Sequence, residues 1–317
     1  MPTQEAGLKL SGKYAIFVHY CHSAIAPLTL YLNYMETAYF NGKLLPKEDI
    51  TISPDDRGFL FADGIYEVIR WYEGFFYDMN SHQTRLKRSL RELRINWSDA
   101  DLFPSVANEL IKINKLENQH AMVYLQVTRG ASRRSHSFPK PEVTPTAYSY
   151  AWGFTPDTKA MESGIKVMLK EDIRWSRCDI KSIALLPNTL SFQEACENGL
   201  KECIFVRNGV ITEGSHSNIF FVIDGTLYTH PESNHILSGV TRKNILRIAE
   251  GEGIRIREEA VQENRIRFVK EAFISNTSSE VTPVIELGGN TLGDGVPGPV
   301  TKMIQNKFNL EIKALKG

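Results

Sequence analysis

Lys181 lies in the stretch Arg174-Trp175-Ser176-Arg177-Cys178-Asp179-Ile180-Lys181-Ser182, which mixes charged and apolar residues just after a predicted strand. An amine whose charge is disfavoured by burial or by cationic neighbours becomes a nucleophile towards carbonyls, the chemistry of Schiff bases. Further along, Glu213-Gly214-Ser215-His216-Ser217-Asn218-Ile219-Phe220 places an acid and several polar groups at the mouth between two hairpins. This segment is either a solvated loop or the anionic partner of a protonated ring nitrogen, as an electron-sink heterocycle would require. Gly239-Val240-Thr241-Arg242 opens a helix whose first amides and Thr241 hydroxyl suit a phosphate, while N-capping alone accounts for Thr241 equally well. Asn276-Thr277-Ser278-Ser279 forms a second cluster of small polar groups, a turn or a further set of phosphate donors. Arg134-Ser135-His136 sits in a Ser-rich loop. By itself it reads as an exposed basic patch, and only with a partner anion as a bidentate carboxylate clamp. Taken singly, lysines and arginines are mostly solvated surface groups, so it is their combination that points to a site.

The elements that must position these groups begin at Ala38. Ala38 to Phe40, the Asn41-Gly42 turn and Lys43 to Leu45 make a hairpin, and Ile65 to Tyr72 turns at Glu73-Gly74 into Phe75 to Tyr77, a second one. Ser81 is a candidate helix cap ahead of the Leu86, Leu90, Leu93 stripe. A helix over Val106 to Leu116 and strands over Ala121 to Thr128 and Ala147 to Phe154 complete a small N-terminal domain, 38–154. Thr155-Pro156-Asp157 has linker composition, giving an interdomain linker over 155–160 and a larger domain over 161–317 that starts with a strand at Ile165 to Leu169. In that second part Asn208-Gly209 and Asp224-Gly225 mark two hairpins, and helices span Thr189 to Asn198 and Thr241 to Glu250. The irregular alternation predicts an α+β fold with antiparallel sheets, and the absence of GxGxxG weakens a Rossmann reading.

Composition bounds the function. In 317 residues, Lys plus Arg balances Asp plus Glu at 37 each, which removes the general attraction that nucleic-acid binding rests on. Hydrophobic and charged contents of 42% and 23% are those of an ordinary globular protein with a sizeable core. Cys21, Cys178, Cys196 and Cys203 have no metal-ligand spacing and read as reduced thiols of a cytoplasmic protein. The apolar-leaning run Tyr14 to Leu32 behind Lys9 and Lys13 is interrupted by His19, His22 and Pro27, so it makes a poor secretory signal or membrane anchor. Residues 1–37 read as an N-terminal extension preceding the first recognisable strand, with Met35 as a natural start.

The run from Glu213 through Asn218, Ile219, Phe220, Leu227, Thr229, Leu237, Gly239, Val240 and Arg242 resembles the signature of class IV, fold-type IV pyridoxal-phosphate aminotransferases. Asp56-Arg57-Gly58, Asp63-Gly64-Ile65-Tyr66-Glu67 and His82 to Leu86 match as well. The likeness therefore runs from about Ala38 nearly to the C-terminus, and within the class it is nearest to the bacterial D-amino-acid transaminases. The resemblance implies a small α/β domain and a larger domain built on an antiparallel or mixed sheet barrel, a pyridoxal 5′-phosphate cofactor, amino-acid and 2-oxo-acid substrates, and a homodimer. Carried over residue by residue, it makes Lys181 the catalytic Schiff-base lysine and Glu213 the partner of the pyridine nitrogen. Arg85, Val240, Thr241 and Thr277 become phosphate ligands, and Arg174 a neighbour of the cofactor's phenolic oxygen. Tyr66, Arg134 and His136 become the trap for the substrate α-carboxylate. Asn276 stands where the family pattern leads one to expect a hydroxyl residue. Branched-chain transaminases, (R)-selective amine transaminases and aminodeoxychorismate lyases share the fold and the lysine. Arg134 with His136 favours a D-amino acid among these, while Asp294 to Pro299 is reminiscent of the amine enzymes.

Overall fold

Paired Asn-Gly and Asp-Gly signals decide where the chain doubles back. In the computed structural model, which describes residues 36–316, Asn41 and Gly42 (φ 45° and 86°), Asn208 and Gly209 (53° and 74°) and Asp224 and Gly225 (48° and 72°) all take the left-handed conformation that a two-residue hairpin turn demands. The proposed N-terminal extension lies outside the described residues except for Glu36 and Thr37.

The first sheet is wholly antiparallel. It contains β1 (Thr37–Phe40), β2 (Lys43–Pro46), β3 (Gly64–Tyr72), β4 (His120–Thr128) and β5 (Thr146–Gly153) in the order β2-β1-β5-β4-β3. The short helix α1 (Arg57–Phe61) leads into β3, and α2 (Met79–Glu92) and α3 (Phe103–Ile113) follow it. Ile65 and Ile69, on the same face of β3, pack with Leu86, Leu90, Phe103 and Leu110 in one core cluster. Burying each such side chain contributes about 1.5–3 kcal/mol.

Two local expectations are corrected here. Phe75 to Tyr77 is not a strand: the return arm is reduced to one Trp71↔Phe76 bridge, because α2 begins at Met79 and leaves no length for a ladder. The cap of α2 is Asp78, whose side chain accepts from the Ser81 amide. Ser81 supplies the capped N–H instead of the capping oxygen.

The second sheet is mixed, as the antiparallel or mixed sheet implied by the resemblance allows, although the strand pattern alone pointed to antiparallel pairing. After α4 (Thr158–Ser163) come β6 (Ile165–Glu171), α5 (Leu186–Glu197), β7 (Cys203–Arg207), β8 (Val210–Gly214), β9 (Asn218–Ile223), β10 (Thr226–Thr229), α6 (Val240–Gly251), β11 (Arg255–Glu258), β12 (Glu271–Asn276), β13 (Glu280–Leu287) and β14 (Asn290–Thr291), then the terminal α7 (Pro299–Lys316). The order is β11-β10-β9-β12-β13-β6-β7-β8, with β14 paired to β13. The pairs β6/β7 and β10/β11 are parallel, and each encloses a helix, α5 or α6, which is the crossover that a parallel connection needs. β6 also runs parallel to β13. One face of this sheet packs with Ile204, Ile219, Phe221 and Ile274. On the other, Phe220 stacks on Phe273 at 4.8 Å and meets Ile245 of α6 and Phe308 of α7.

The described residues all belong to one compact unit. The segment between β6 and α5, which carries Lys181, has no regular structure, yet it is held to the first sheet. The Tyr66 amide donates to the Lys181 carbonyl (3.0 Å), Ile65 bridges Ser182, and the Ile183 amide donates to the Gly64 carbonyl (3.1 Å). Gly64 permits this approach: a Cβ there would lie 2.8 Å from the Val127 carbonyl oxygen and 3.0 Å from Ile183 Cδ1.

Candidate active site

A cleft opens where the Lys181 segment, the end of β8 and the start of α6 meet, a concave site in which a few polar groups converge. Tyr66, Arg85, Arg174, Lys181, Glu213, Val240, Thr241 and Thr277 all line it. The Lys181 amide donates to the Ser89 hydroxyl of α2 (3.3 Å). Its Nζ stands over the face of the Tyr66 ring, 4.1 Å from the centroid, within cation–π distance. The preceding Asp179 is clamped by Arg88 and Arg177, and Ile180 is buried in the first core. The lysine thus sits on a loop fixed on both sides of it.

On the α2 side, His82, Arg85 and Ser89 share one helical face. Glu67, fully buried, follows Ile65 and precedes Ile69 on the inward face of β3. It accepts from Arg85 Nε (3.1 Å) and Nη2 (2.5 Å) and faces His82 Nδ1 at 3.0 Å. Burial works to raise the Glu67 carboxyl, but the Arg85 charge and the His82 contact outweigh it and hold the group well below the usual carboxylate range. Burial pushes His82 down in turn. The third Arg85 nitrogen, Nη1, donates to the Ser238 carbonyl (3.2 Å) and so ties α2 to the segment just before α6.

On the β8 side, Glu213 Oε1 accepts from Arg174 Nη1 (2.6 Å), and Oε2 accepts from Asn218 Nδ2 (3.0 Å) and the Leu237 amide (2.9 Å). Burial nevertheless pushes the Glu213 carboxyl up to about 7, against the pull of Arg174. Every Arg174 nitrogen is engaged: Nε and Nη2 with Asp172 at 2.9 Å each, Nη1 with Glu213, and Nη2 also with the His235 carbonyl at 3.1 Å. The structure therefore places Arg174 behind Glu213.

At the far end, α6 starts at Val240 with Gly239 as its N-cap and no side-chain cap, leaving its first amides for a ligand. Thr241 stands one residue inside the first turn, so N-capping does not account for it. A Cβ at Gly239 would lie 2.1 Å from Asn218 Oδ1, so only glycine fits between the Glu213 shell and the helix start. Two buried polar atoms of cleft-lining residues, Ser275 Oγ and Asn276 Nδ2, have no partner. Asn276 Oδ1 meanwhile accepts from the Ser278 and Ser279 amides at 3.0 and 2.6 Å. The amide side chain thus builds the turn with one end and offers a donor with the other.

Arg134 and His136 are not among the residues lining this cleft. Both are exposed and rest on the Phe61 ring, at 5.1 Å for the Arg134 guanidinium and 5.6 Å between ring centroids for His136. The loop is anchored from beneath: buried Arg57 donates to the Ser135 carbonyl (2.6 Å) and pairs with Asp63 (2.8 Å), and Phe138 stacks on Arg129.

Sequence reasoning missed Glu67, which it quoted only within a matching run. The signal was present: period-two alternation with Ile65 and Ile69 puts a carboxylate on the buried face, where it needs a counter-charge. His216 was likewise named only within its segment. Among the described residues no group of three or more His, Cys, Asp or Glu side chains is placed to hold a metal, and no helix is long and apolar enough to cross a membrane.

The sequence profile of the family described as amino-transferase class IV matches residues 64–287. A D-alanine aminotransferase of Staphylococcus haemolyticus is 40% identical over 281 residues, spanning 88% of this chain and 99% of that relative. Its counterpart from Bacillus licheniformis is 38% identical over 275 residues, 86% of this chain and 96% of the relative. Among solved structures, a branched-chain amino acid aminotransferase of Escherichia coli superposes with a TM-score of 0.81 at 27% identity, covering 87% of this chain and 94% of that one. A branched-chain amino acid aminotransferase of Thermobaculum terrenum, solved in its PLP-form, gives 0.75 at 21% identity, covering 87% and 94%, a likeness of fold.

Proposed function

The chain belongs to the class IV aminotransferases, and from that premise we propose that it transfers the amino group of a D-amino acid such as D-alanine to a 2-oxo acid. The observation that carries the reading is the pairing, in one cleft, of Lys181 and Glu213 with an uncapped helix start, in a chain 40% identical to a D-alanine aminotransferase. Class IV enzymes depend on pyridoxal 5′-phosphate, which when bound supplies a reactive carbonyl and an electron-accepting pyridinium ring.

The residues present fit that group. Uncapped α6 amides, the Thr241 and Thr277 hydroxyls, the unpartnered Asn276 Nδ2 and the Arg85 charge form a cradle for a phosphate. Glu213 holds a proton at the ring nitrogen. Its own affinity for protons, raised by burial, suits a shared proton, and Arg174 with Asn218 and Leu237 fixes its orientation. Lys181 is the nucleophilic amine and, once released, the base that takes the proton from the substrate α-carbon and returns it. Its anchored loop keeps the amine on one face of the site, so the face of the α-carbon presented to it decides the handedness of the product.

Arg134, His136 and Tyr66 are the residues we assign to the substrate α-carboxylate. Arg134 and His136 stand outside the cleft of their own chain, so the assignment goes with a homodimer in which each subunit lends its loop to the other. Phe59 and Leu186, 79% and 69% exposed, provide apolar surface for such contact. We place the enzyme in the cytoplasm, where the free thiols Cys178, Cys196 and Cys203 stay reduced.

Purified enzyme with its cofactor is expected to show an absorbance band near the visible edge that shifts on adding D-alanine, and Lys181→Ala is expected to be folded but inactive. A panel of both enantiomers of alanine, glutamate and leucine with (R)-1-phenylethylamine separates the readings. Turnover confined to L-leucine would replace the D-amino-acid reading with that of the branched-chain structural neighbours, and turnover confined to the amine would replace it with an amine transaminase.

A further inference from the structure

Among the described basic side chains lining the cleft, Arg85 is committed to Glu67 and the Ser238 carbonyl, and Arg174 to Glu213 and Asp172. Lys181 is taken by the chemistry proposed above. His216 remains. It occupies the turn that follows Glu213, lines the same cleft, and its side chain is 46% exposed.

Its surroundings fix the ring without using it up. Glu202 lies beneath it, wholly buried, and already accepts from the Cys203 amide (2.8 Å), the Ser215 amide (3.1 Å), the Ser215 hydroxyl and the Ser217 hydroxyl (2.7 Å). With these donors the carboxylate has no need of an imidazole to satisfy it. His216 Nδ1 nevertheless stands 3.2 Å from Glu202 Oε2 and 3.0 Å from Ser215 Oγ. The ring also meets Phe192 edge to face at 4.8 Å. With Nδ1 turned towards a carboxylate and the ring held by an aromatic, Nε2 is the nitrogen left without a partner among the described residues. The Nδ1 edge thus faces the Ser215 hydroxyl and the Glu202 carboxylate, a carboxylate neighbour that favours the cationic form of an imidazole, and an N–H at Nε2 is then available to an acceptor in the cleft.

We infer that His216 is a specificity-determining residue that binds the distal carboxylate of a dicarboxylic substrate, such as D-glutamate or 2-oxoglutarate, with Glu202 as its positioning residue. The inference rests on the transaminase reading. A four- or five-carbon dicarboxylic acid carries two anionic ends. The loop of Arg134 and His136 is assigned to the end beside the reacting carbon, so the other end needs a cation within the cleft. D-alanine has no such end and does not use His216.

The test uses the cofactor-loaded wild-type enzyme with His216→Ala and His216→Lys. In His216→Ala, KM for D-glutamate is expected to rise about tenfold, the scale of one lost charge-assisted hydrogen bond. kcat for D-glutamate should change by no more than about twofold, and so should the rate and half-saturation of the D-alanine half-reaction, read from the absorbance band with no 2-oxo acid present. His216→Lys should recover most of the loss, because it supplies a cationic donor at the same place. In parallel, Trp175 in the cleft wall allows fluorescence titration with two unreactive acids: glutarate should bind about tenfold more weakly to His216→Ala than to wild type, and butyrate equally. Equal losses for D-alanine and D-glutamate, or glutarate binding unchanged by the substitution, overturns the inference. If the wild-type band fails to shift with any D-amino acid, the transaminase reading falls instead, and the contrast between glutarate and butyrate still decides whether His216 takes a second carboxylate.

Discussion

Glu67 and Glu213 are both buried carboxylates facing an arginine at about the same distance, 2.5 Å to Arg85 and 2.6 Å to Arg174, and they are shifted in opposite directions. Burial raises both. The difference lies in how the arginine is shared. Arg85 gives two nitrogens to Glu67 and has no second carboxylate, and His82 adds a further contact. Arg174 divides itself between Glu213 and Asp172, whose negative charge adds to the burial effect on Glu213. An arginine committed to one acid makes a permanent anion, and an arginine shared by two leaves one acid able to hold a proton near neutrality. The first suits a rigid strut that fixes Arg85 beside the helix start. The second suits the proton-holding role proposed for Glu213.

The largest expected effect tests the strut. Glu67→Ala leaves Arg85 and His82 buried without their anion, so urea unfolding at pH 7 should show a loss of about 3–5 kcal/mol, the usual cost of breaking a buried pair. A loss below about 1 kcal/mol would mean that water or another group replaces the carboxylate. The same pair gives an acid dependence: the folded Glu67 proton affinity lies below its unfolded one, so its contribution is complete above about 4.5 and fades only as the pH falls far beneath that.

A smaller effect of opposite sign is expected for Glu213. Between about 4.5 and about 7 the cofactor-free folded protein binds a proton that the unfolded chain has released. Its contribution to stability is therefore present at acid pH and lost as the pH rises through that window. Glu213→Gln, which imitates the protonated form, should flatten that slope and leave the cofactor-free variant as stable as wild type or more stable at pH 8, by a few kcal/mol at most. An unchanged slope would assign the titration to another group. The smallest effect is expected at Arg207, which shares Asp172 with Arg174 at 3.2 Å. Arg207→Gln turns Arg174 more towards Asp172 and should move the Glu213 transition upwards by roughly half a pH unit, on the scale of a partly exposed charge contact.

Hairpins were legible because Asn-Gly and Asp-Gly turns are local: the backbone at Asn41, Asn208 and Asp224 obeys steric rules that need no distant partner. The start of α6 was legible to within a residue. Asp78 displaced Ser81 as the cap of α2 because either residue type serves and only the path of the chain before the helix chooses between them. Parallel pairing of β6 with β7 and β13 was not legible, since apolar alternation along Ile165 to Leu169 is the same whichever way the neighbours run. Glu67 was overlooked because its counter-charges lie on another element, and a buried acid looks in sequence like an exposed one.

Sequence by itself determined the chemical inventory: the lysine, the acid, the glycine-led helix start and the arginine-histidine loop, together with the family signature that joins them. Residue type and local spacing are properties of the chain. Tertiary structure alone decided which arginine each carboxylate keeps, that Arg174 stands behind Glu213, that His216 lines the cleft with Nδ1 near Glu202, and that Arg134 and His136 rest on Phe61 outside it. Those outcomes depend on burial and on the distances between elements far apart in sequence, and electrostatic interactions take both magnitude and sign from these two quantities.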